Sequence, residues 1–187
     1  MIFELKIELK GIDPKIWRLI QVDSNISLNE LHHVIQIAMG WTNSHLYSFK
    51  IDEIEYSLPE YNYDYITYGD SRSNKLKDFR EESFEYLYDF GDSWEHTVQV
   101  VQKIEGEKLL HPVCLDGKGT CPPEDIGGIH GFMEFLKIMN NKSHPERKSY
   151  IEWYGSVFNP DKVNFAEINA SLVKLKEYIA EIESDDD

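Results

Sequence analysis

The sequence predicts an α+β fold: a mostly antiparallel sheet, one early helix, and a C-terminal helical part that includes a long amphipathic helix. Three features carry this prediction. Alternating apolar and polar residues recur through the first hundred residues, helical spacing takes over after about residue 130, and a single capped helix interrupts the early strands.

Residues 2–9 alternate, with Phe3, Leu5, Ile7 and Leu9 opposite Glu4, and read as a strand with one buried face. Gly11 to Pro14 turns the chain, and residues 16–22 return as a second strand. Ser27 and Glu30 have capping-box spacing ahead of Leu28, Leu31, Val34, Ile35, Ala38 and Met39, and Gly40 can close the turn. This predicts a helix over 28–39. A strand follows at 45–51. Residues 56–68 hold five of the 11 tyrosines without a period and read as a loop or edge ribbon. Phe84, Tyr86, Tyr88 and Phe90 alternate up to the turn residues Gly91 and Asp92, and Trp94, His96, Val98 and Val100 return on one face, the clearest hairpin in the chain. Residues 111–130, rich in Gly, Pro and Cys, read as irregular. Helices are expected at 131–140 and from about Ser143 to Trp153, then as one long helix from Phe165 to Ile182 with a narrow apolar stripe. Residues 1–182 read as a single domain, and 183–187 as an acidic tail.

Composition narrows the function classes. The 187 residues carry a formal net charge of −15 and 41% hydrophobic residues, an ordinary globular balance. An acidic chain lacks the default attraction to duplex nucleic acid, which rests on Lys and Arg displacing counterions, so a protein is the expected partner ahead of nucleic acid. No apolar run is long enough for a membrane helix. The start MIFELKIELKG has no signal-peptide pattern. With only two cysteines, Cys114 and Cys121, the chain reads as cytoplasmic with reduced thiols.

Several segments together resemble the plasmid pRiA4b ORF-3-like family, whose members include passengers of bacterial mobile elements. They are Pro14 to Arg18, Leu31-His32 running to Trp41, Ser44-His45-Leu46 with Phe49, Tyr88 to His96, Cys121 to Gly128, and Phe158 to Asp161. Asn159 stands where the family often has Asp, Tyr47 where it often has His, and Ile129-His130 where Pro is common. The resemblance implies a fold and no particular reaction.

The candidate functional residues are Asp89, Asp92, His96, Glu124, Asp125, His32 and His45. Carboxylates with an imidazole in the 88–96 hairpin suit a divalent metal or a shared proton, with Asp92 and His96 as the first pair of ligands. His32, His45 and His96 suit zinc if the fold brings them together, and so do His111, Cys114, Cys121 and His130, although their spacing is not that of paired knuckles. Turn chemistry explains much of the same pattern: Asp92 closes the hairpin through its own backbone and His96 bonds within the sheet. The candidate contact surface combines the 88–96 hairpin, the 121–128 loop and the tyrosine tract, with Trp17, Arg18, Trp41 and Trp94 as its candidate residues. No Gly-x-Ser-x-Gly elbow or P-loop is present. The function expected is a non-enzymatic binding or accessory module with no cofactor established and a divalent metal as the candidate. A metal-dependent phosphoester hydrolase and a nucleic-acid accessory factor of a mobile element are the alternatives.

Overall fold

A computed structural model of the chain describes residues 1–61 and 68–185. The eight strands are β1 (Ile2–Leu9), β2 (Trp17–Asp23), β3 (Tyr47–Ile51), β4 (Ile54–Ser57), β5 (Tyr68–Asp70), β6 (Ser83–Tyr88), β7 (Trp94–Ile104) and β8 (Val113–Lys118). They form one sheet in the order β5-β4-β3-β6-β7-β1-β2-β8, antiparallel throughout except between β4 and β5. The helices are α1 (Leu28–Met39), α2 (Gly128–Asn140), α3 (Arg147–Tyr154), α4 (Phe165–Val173) and α5 (Leu175–Asp185). The α+β architecture read from the sequence is the one observed.

Local chemistry sets the α1 boundaries. Ser27 Oγ accepts from Glu30 N–H at 3.1 Å while the Glu30 carboxylate accepts from Ser27 N–H at 2.9 Å, so two otherwise unpaired donors are satisfied. Gly40, at φ 94°, ends the helix in the left-handed conformation. Leu28, Leu31, Val34, Ile35 and Ala38 face the core, against Leu5, Ile7, Ile20, Val22, Phe49 and Tyr86 from the sheet. On the opposite face of β1 and β2, Glu4, Lys6, Glu8, Trp17 and Gln21 stay half-exposed, with the Lys6 ammonium 5.7 Å from the Trp17 ring. A sheet with one covered face is expected to alternate in this way.

Arg18 breaks the simple pattern. It sits on the buried side of β2 and is only 2% exposed. Its guanidinium donates to Ala38 O at 2.8 Å, Trp17 O at 2.8 Å, Lys118 O at 3.1 Å and Gly119 O at 2.9 Å. Ala38 lies in the last turn of α1, where carbonyls have no helical partner and the helix dipole favours a cation. The buried charge therefore fastens α1 to β2 and to the end of β8. Of the residues expected at a contact surface, Arg18, Trp41 and Trp94 are corrected to interior positions, and Trp17 remains on the outer face.

Other expectations need correction. Residues 111–130 are not wholly irregular, because Val113–Lys118 forms the edge strand β8. The side-chain amide of Asn169 on α4 accepts from Cys114 N–H at 2.8 Å and donates to Cys114 C=O at 3.0 Å, standing in for a missing neighbour strand. Helix α2 begins at Gly128, three residues earlier than expected. The expected single C-terminal helix is divided at Lys174 into α4 and α5. Its stripe does dock inside the fold, with Leu172 and Leu175 in the core. The expected tail begins while α5 is still helical, as far as Asp185. Phe90 does not continue the buried row of β6 but stands 50% exposed at the hairpin tip. Of the tyrosine tract, Tyr56 and Ser57 end β4 and Tyr68 begins β5 at the sheet edge, and residues 62–67 lie outside the described residues.

Replacing Asn169 by Ala removes both partners of Cys114 at this edge. Unsatisfied buried backbone groups cost about 1–3 kcal/mol, so urea unfolding of Asn169→Ala should show a destabilisation of that order. A change below about 0.5 kcal/mol, the range of ordinary surface substitutions, would show that the amide does not pair the edge.

Candidate functional site

The site begins at the β6–β7 turn. Asp89 adopts φ 56°, a left-handed conformation that Asp tolerates better than most residues. Its Oδ1 accepts from Gly91 N–H at 2.9 Å and Asp92 N–H at 3.2 Å, and Ser93 N–H returns to Asp89 O at 2.6 Å. Asp89 therefore closes the turn, the role the sequence reading gave to Asp92. Asp92 reaches outward instead, and its Oδ2 accepts from Gly127 N–H at 3.1 Å. The turn lies against the start of α2 so closely that a Cβ on Gly128, itself at φ 65°, would fall 2.6 Å from Asp92 O. Only glycine combines that conformation with that approach.

This contact delivers the 121–128 loop to the sheet. Trp41 Nε1 donates to Pro122 O at 3.0 Å. Glu124 Oε1 accepts from Thr42 N–H at 2.8 Å, Tyr88 O–H at 3.0 Å and Thr42 O–H at 3.2 Å. The Tyr88 hydroxyl in turn accepts from Ser44 N–H at 3.1 Å. Burial, reinforced by the neighbouring Glu124 carboxylate, pushes the Tyr88 phenol well above its ordinary range, so it remains a donor.

His45 stands at the centre of the result. Its Nε2 lies 3.2 Å from Asp125 Oδ1, 3.7 Å from Asp89 Oδ2 and 3.8 Å from Glu124 Oε2. The potential ligand atoms of His45, Asp89 and Asp125 all fall within 4.8 Å of one another. His45 Nε2 and Glu124 Oε2 are buried and have no hydrogen-bond partner. Asp125 is 75% exposed at its side chain and also adopts a left-handed conformation, at φ 56°. Among the described residues, His45 is the one basic side chain within 4.0 Å of these carboxylates. Three carboxylates around one imidazole, with no Lys or Arg beside them, form a site whose electrostatics favour a cation.

The structure thus unites four of the seven candidates: His45, Asp89, Glu124 and Asp125. Asp92 adjoins them through Gly127. His32 and His96 belong to the core. His32 stacks on Tyr47 with ring centroids 3.6 Å apart, places Nδ1 2.8 Å from Tyr86 Oη, and pairs its Nε2 with Asn43. Burial, then the neighbouring His33, holds its pKa well below the ordinary value. His96 is fully buried, with Nδ1 3.3 Å from Tyr86 O, and meets Trp41 edge-on at 5.4 Å. His96 turns to Tyr86 O while Asp92 reaches Gly127 N–H, and no three-histidine zinc site forms among the described residues. Nor does a His111, Cys114, Cys121 and His130 set, and both cysteines are free and buried. The sequence reading missed Thr42 and Tyr88 as partners of Glu124. Tyr88 was hidden because its alternation marks it as core. A groove of about 580 Å³ between the end of α1 and the α4–α5 bend, lined by Trp41, Cys121, Lys162, Lys174, Glu177 and Tyr178, was also not foreseen. It does not include the four clustered residues.

Comparison with known proteins is consistent across sequence and fold. The family described as plasmid pRiA4b ORF-3-like protein matches residues 1–167. The uncharacterized protein y4hQ of Sinorhizobium fredii (strain NBRC 101917 / NGR234) is 35% identical over 183 residues, covering 93% of this chain and 92% of that protein. The crystal structure of a protein of unknown function, MM3350 from Methanosarcina mazei Go1, superposes with a TM-score of 0.78 at 31% identity, over 89% of this chain and 95% of that one. No described helix is long and apolar enough to cross a membrane.

The buried histidines make stability depend on pH. Burial lowers His33 and His96 to about 4. The unfolded chain takes up their protons near the ordinary value of about 6.5, so it binds more protons than the folded chain between those limits. Stability should be complete above about pH 6.5 and fall as pH drops toward 4, by up to about 1.4 kcal/mol per pH unit for each group. Urea midpoints at pH 7, 6 and 5 test this, and His33→Leu should flatten the slope by one group's share. An unchanged slope in that variant would contradict the assignment.

Proposed function

We propose that this chain, which belongs to the plasmid pRiA4b ORF-3-like family, is a non-enzymatic binding module whose contact surface is organised by a divalent cation at His45, Asp89, Glu124 and Asp125. The observation that carries this reading is the convergence of one imidazole and three carboxylates from separate segments, with His45 Nε2 and Glu124 Oε2 buried and without hydrogen-bond partners. Their mutual repulsion without a counter-ion is relieved by a cation, which needs deprotonated ligands of this kind. The surface beside it, with Phe90 exposed at the hairpin tip and the exposed Asp125 carboxylate, suits a protein partner. The module operates in the cytoplasm on this reading, where two buried thiols stay reduced.

One observation favours a second reading. If His45, Asp89 and Asp125 alone ligate the cation, a water takes the open position, with the unpartnered Glu124 Oε2 beside it as a base. That arrangement suits metal-assisted hydrolysis of a phosphoester. Turnover of bis(p-nitrophenyl) phosphate that is lost in Glu124→Gln would select it over the non-enzymatic reading.

Isothermal titration with divalent chlorides tests the cation itself. Binding should be stoichiometric in the native chain and absent in His45→Ala and Asp125→Ala. At a cation concentration 100-fold above Kd, linkage gives about 2.7 kcal/mol of added stability, so the unfolding midpoint should rise measurably in the native chain alone. Failure to bind any divalent cation, or equal binding by the variants, would refute the proposal.

A further inference from the structure

Resting on the cation reading, we infer that His45, Asp89 and Asp125 leave one coordination position of the cation open to solvent, and that the protein partner fills it with the neutral imidazole of a histidine, beside an apolar residue seated on Phe90. Ligand spacing sets the number of protein ligands at three. The donor atoms of His45, Asp89 and Asp125 lie within 4.8 Å of one another, and Glu124 falls outside that group. Three protein ligands of the imidazole and carboxylate kinds make an open zinc site, whose fourth position takes a molecule from outside. Burial shows where the opening lies. The side chains of Asp89 and Glu124 are 9% and 20% exposed, whereas that of Asp125 is 75% exposed. A group arriving from solvent therefore reaches the cation past Asp125.

Charge decides what that group is. Asp89, Asp125 and Glu124 set three carboxylates around one imidazole, so a bound dication leaves the cluster with one negative charge in excess. The excess belongs to Glu124. Thr42 and Tyr88 hold its Oε1, while Oε2, buried and without a hydrogen-bond partner, stays 3.8 Å from His45 Nε2. A carboxylate or thiolate from the partner would bring a further negative charge beside Glu124, on a chain whose formal net charge is already −15. A neutral imidazole meets no such repulsion and suits the same class of metal. Glu124 thus selects against anionic donors at a position it does not occupy. The surface beside the opening places the donor in a protein segment. Phe90, next in the chain to Asp89, stands 50% exposed at the hairpin tip, an aromatic anchor of the kind that protein interfaces bury.

The test is calorimetric titration of the chain, loaded with stoichiometric zinc at about pH 7.5, where free imidazole is neutral. The probes are acetyl-histidinamide, acetyl-aspartamide and acetyl-leucyl-histidinamide. Zinc itself favours imidazole over carboxylate, so the readout is how the ratio of the first two affinities moves on substitution. In the native chain the histidine probe should bind one to one and the aspartate probe far more weakly. Glu124→Gln should keep zinc, strengthen the aspartate probe by about 10-fold or more through loss of a like-charge contact, and leave the histidine probe unchanged. The added leucine should tighten binding several-fold, and Phe90→Ser should remove that gain alone. Equal binding of the first two probes by the native chain, a ratio unmoved or zinc lost in Glu124→Gln, or a leucine gain kept in Phe90→Ser would overturn this inference and leave the cation reading intact. Zinc-dependent dimerisation in sedimentation that is lost in His130→Ala, an exposed position in the first turn of α2, would seat a second copy at the opening and overturn it likewise. So would calcium or magnesium binding without zinc binding. No uptake of any divalent cation would remove both.

Discussion

The site depends on how closely the β6–β7 turn can approach the first turn of α2. Gly127 gives its N–H to Asp92, and Gly128 leaves the space that any side chain would fill against the Asp92 carbonyl. Without that approach the 121–128 loop would lie away from the sheet, and Glu124 and Asp125 would be two more acidic residues on an already acidic surface. With it, they are brought to an imidazole and a third carboxylate. The energetic consequence is like-charge crowding in a partly dehydrated volume, which the fold offsets with donors to one oxygen of each buried carboxylate. The oxygens left over lie near His45 Nε2.

Rigid packing behind the cluster keeps that crowding from relaxing. Trp41, Tyr88 and Trp94 pack ring against ring beneath the loop, and His32 and Gln36 of α1 form a buried polar network with Tyr86 of β6. Arg18 anchors the end of α1 from the other side, so the Gly40–His45 segment leaves the helix at a fixed point. Thr42, Ser44 and His45 all lie on this segment. The position of His45 is therefore a consequence of the helix C-cap, the buried guanidinium and the aromatic layer together. The residues that look most chemical in this layer, His32 and His96, are kept neutral by burial and contribute packing and hydrogen bonds.

Much of the fold is legible in the chain because its signals are local. The capping box at Ser27 and Glu30, the alternation from Phe84 to Tyr88 and the turn after it each follow from neighbours in sequence. Arg18 was misplaced because alternation puts it inside while its charge argues for the surface, and its carbonyl partners lie as far as 101 residues away in sequence. Strand β8 escaped for a similar reason: what stabilises it is β2 on one side and the Asn169 side chain on the other. The division at Lys174 interrupts a stripe that is periodic straight through it. At the site, the residue types were readable and their grouping was not. His45 lies 44 residues from Asp89 and 80 from Asp125, and no spacing rule connects segments joined only through tertiary contact. His96 looked equivalent to His45 in the sequence, and the pleat turned it into the core.

The proposed binding surface requires one placement, a single cation among His45, Asp89 and Asp125 with Glu124 beside them. The most direct measurement is an anomalous difference map at the zinc edge from crystals grown with zinc. One strong peak should appear at about 2.0–2.2 Å from His45 Nε2 and from a carboxylate oxygen of Asp89 and of Asp125. A map with no peak inside the cluster, or with its peak at Cys114 and Cys121 instead, would contradict it.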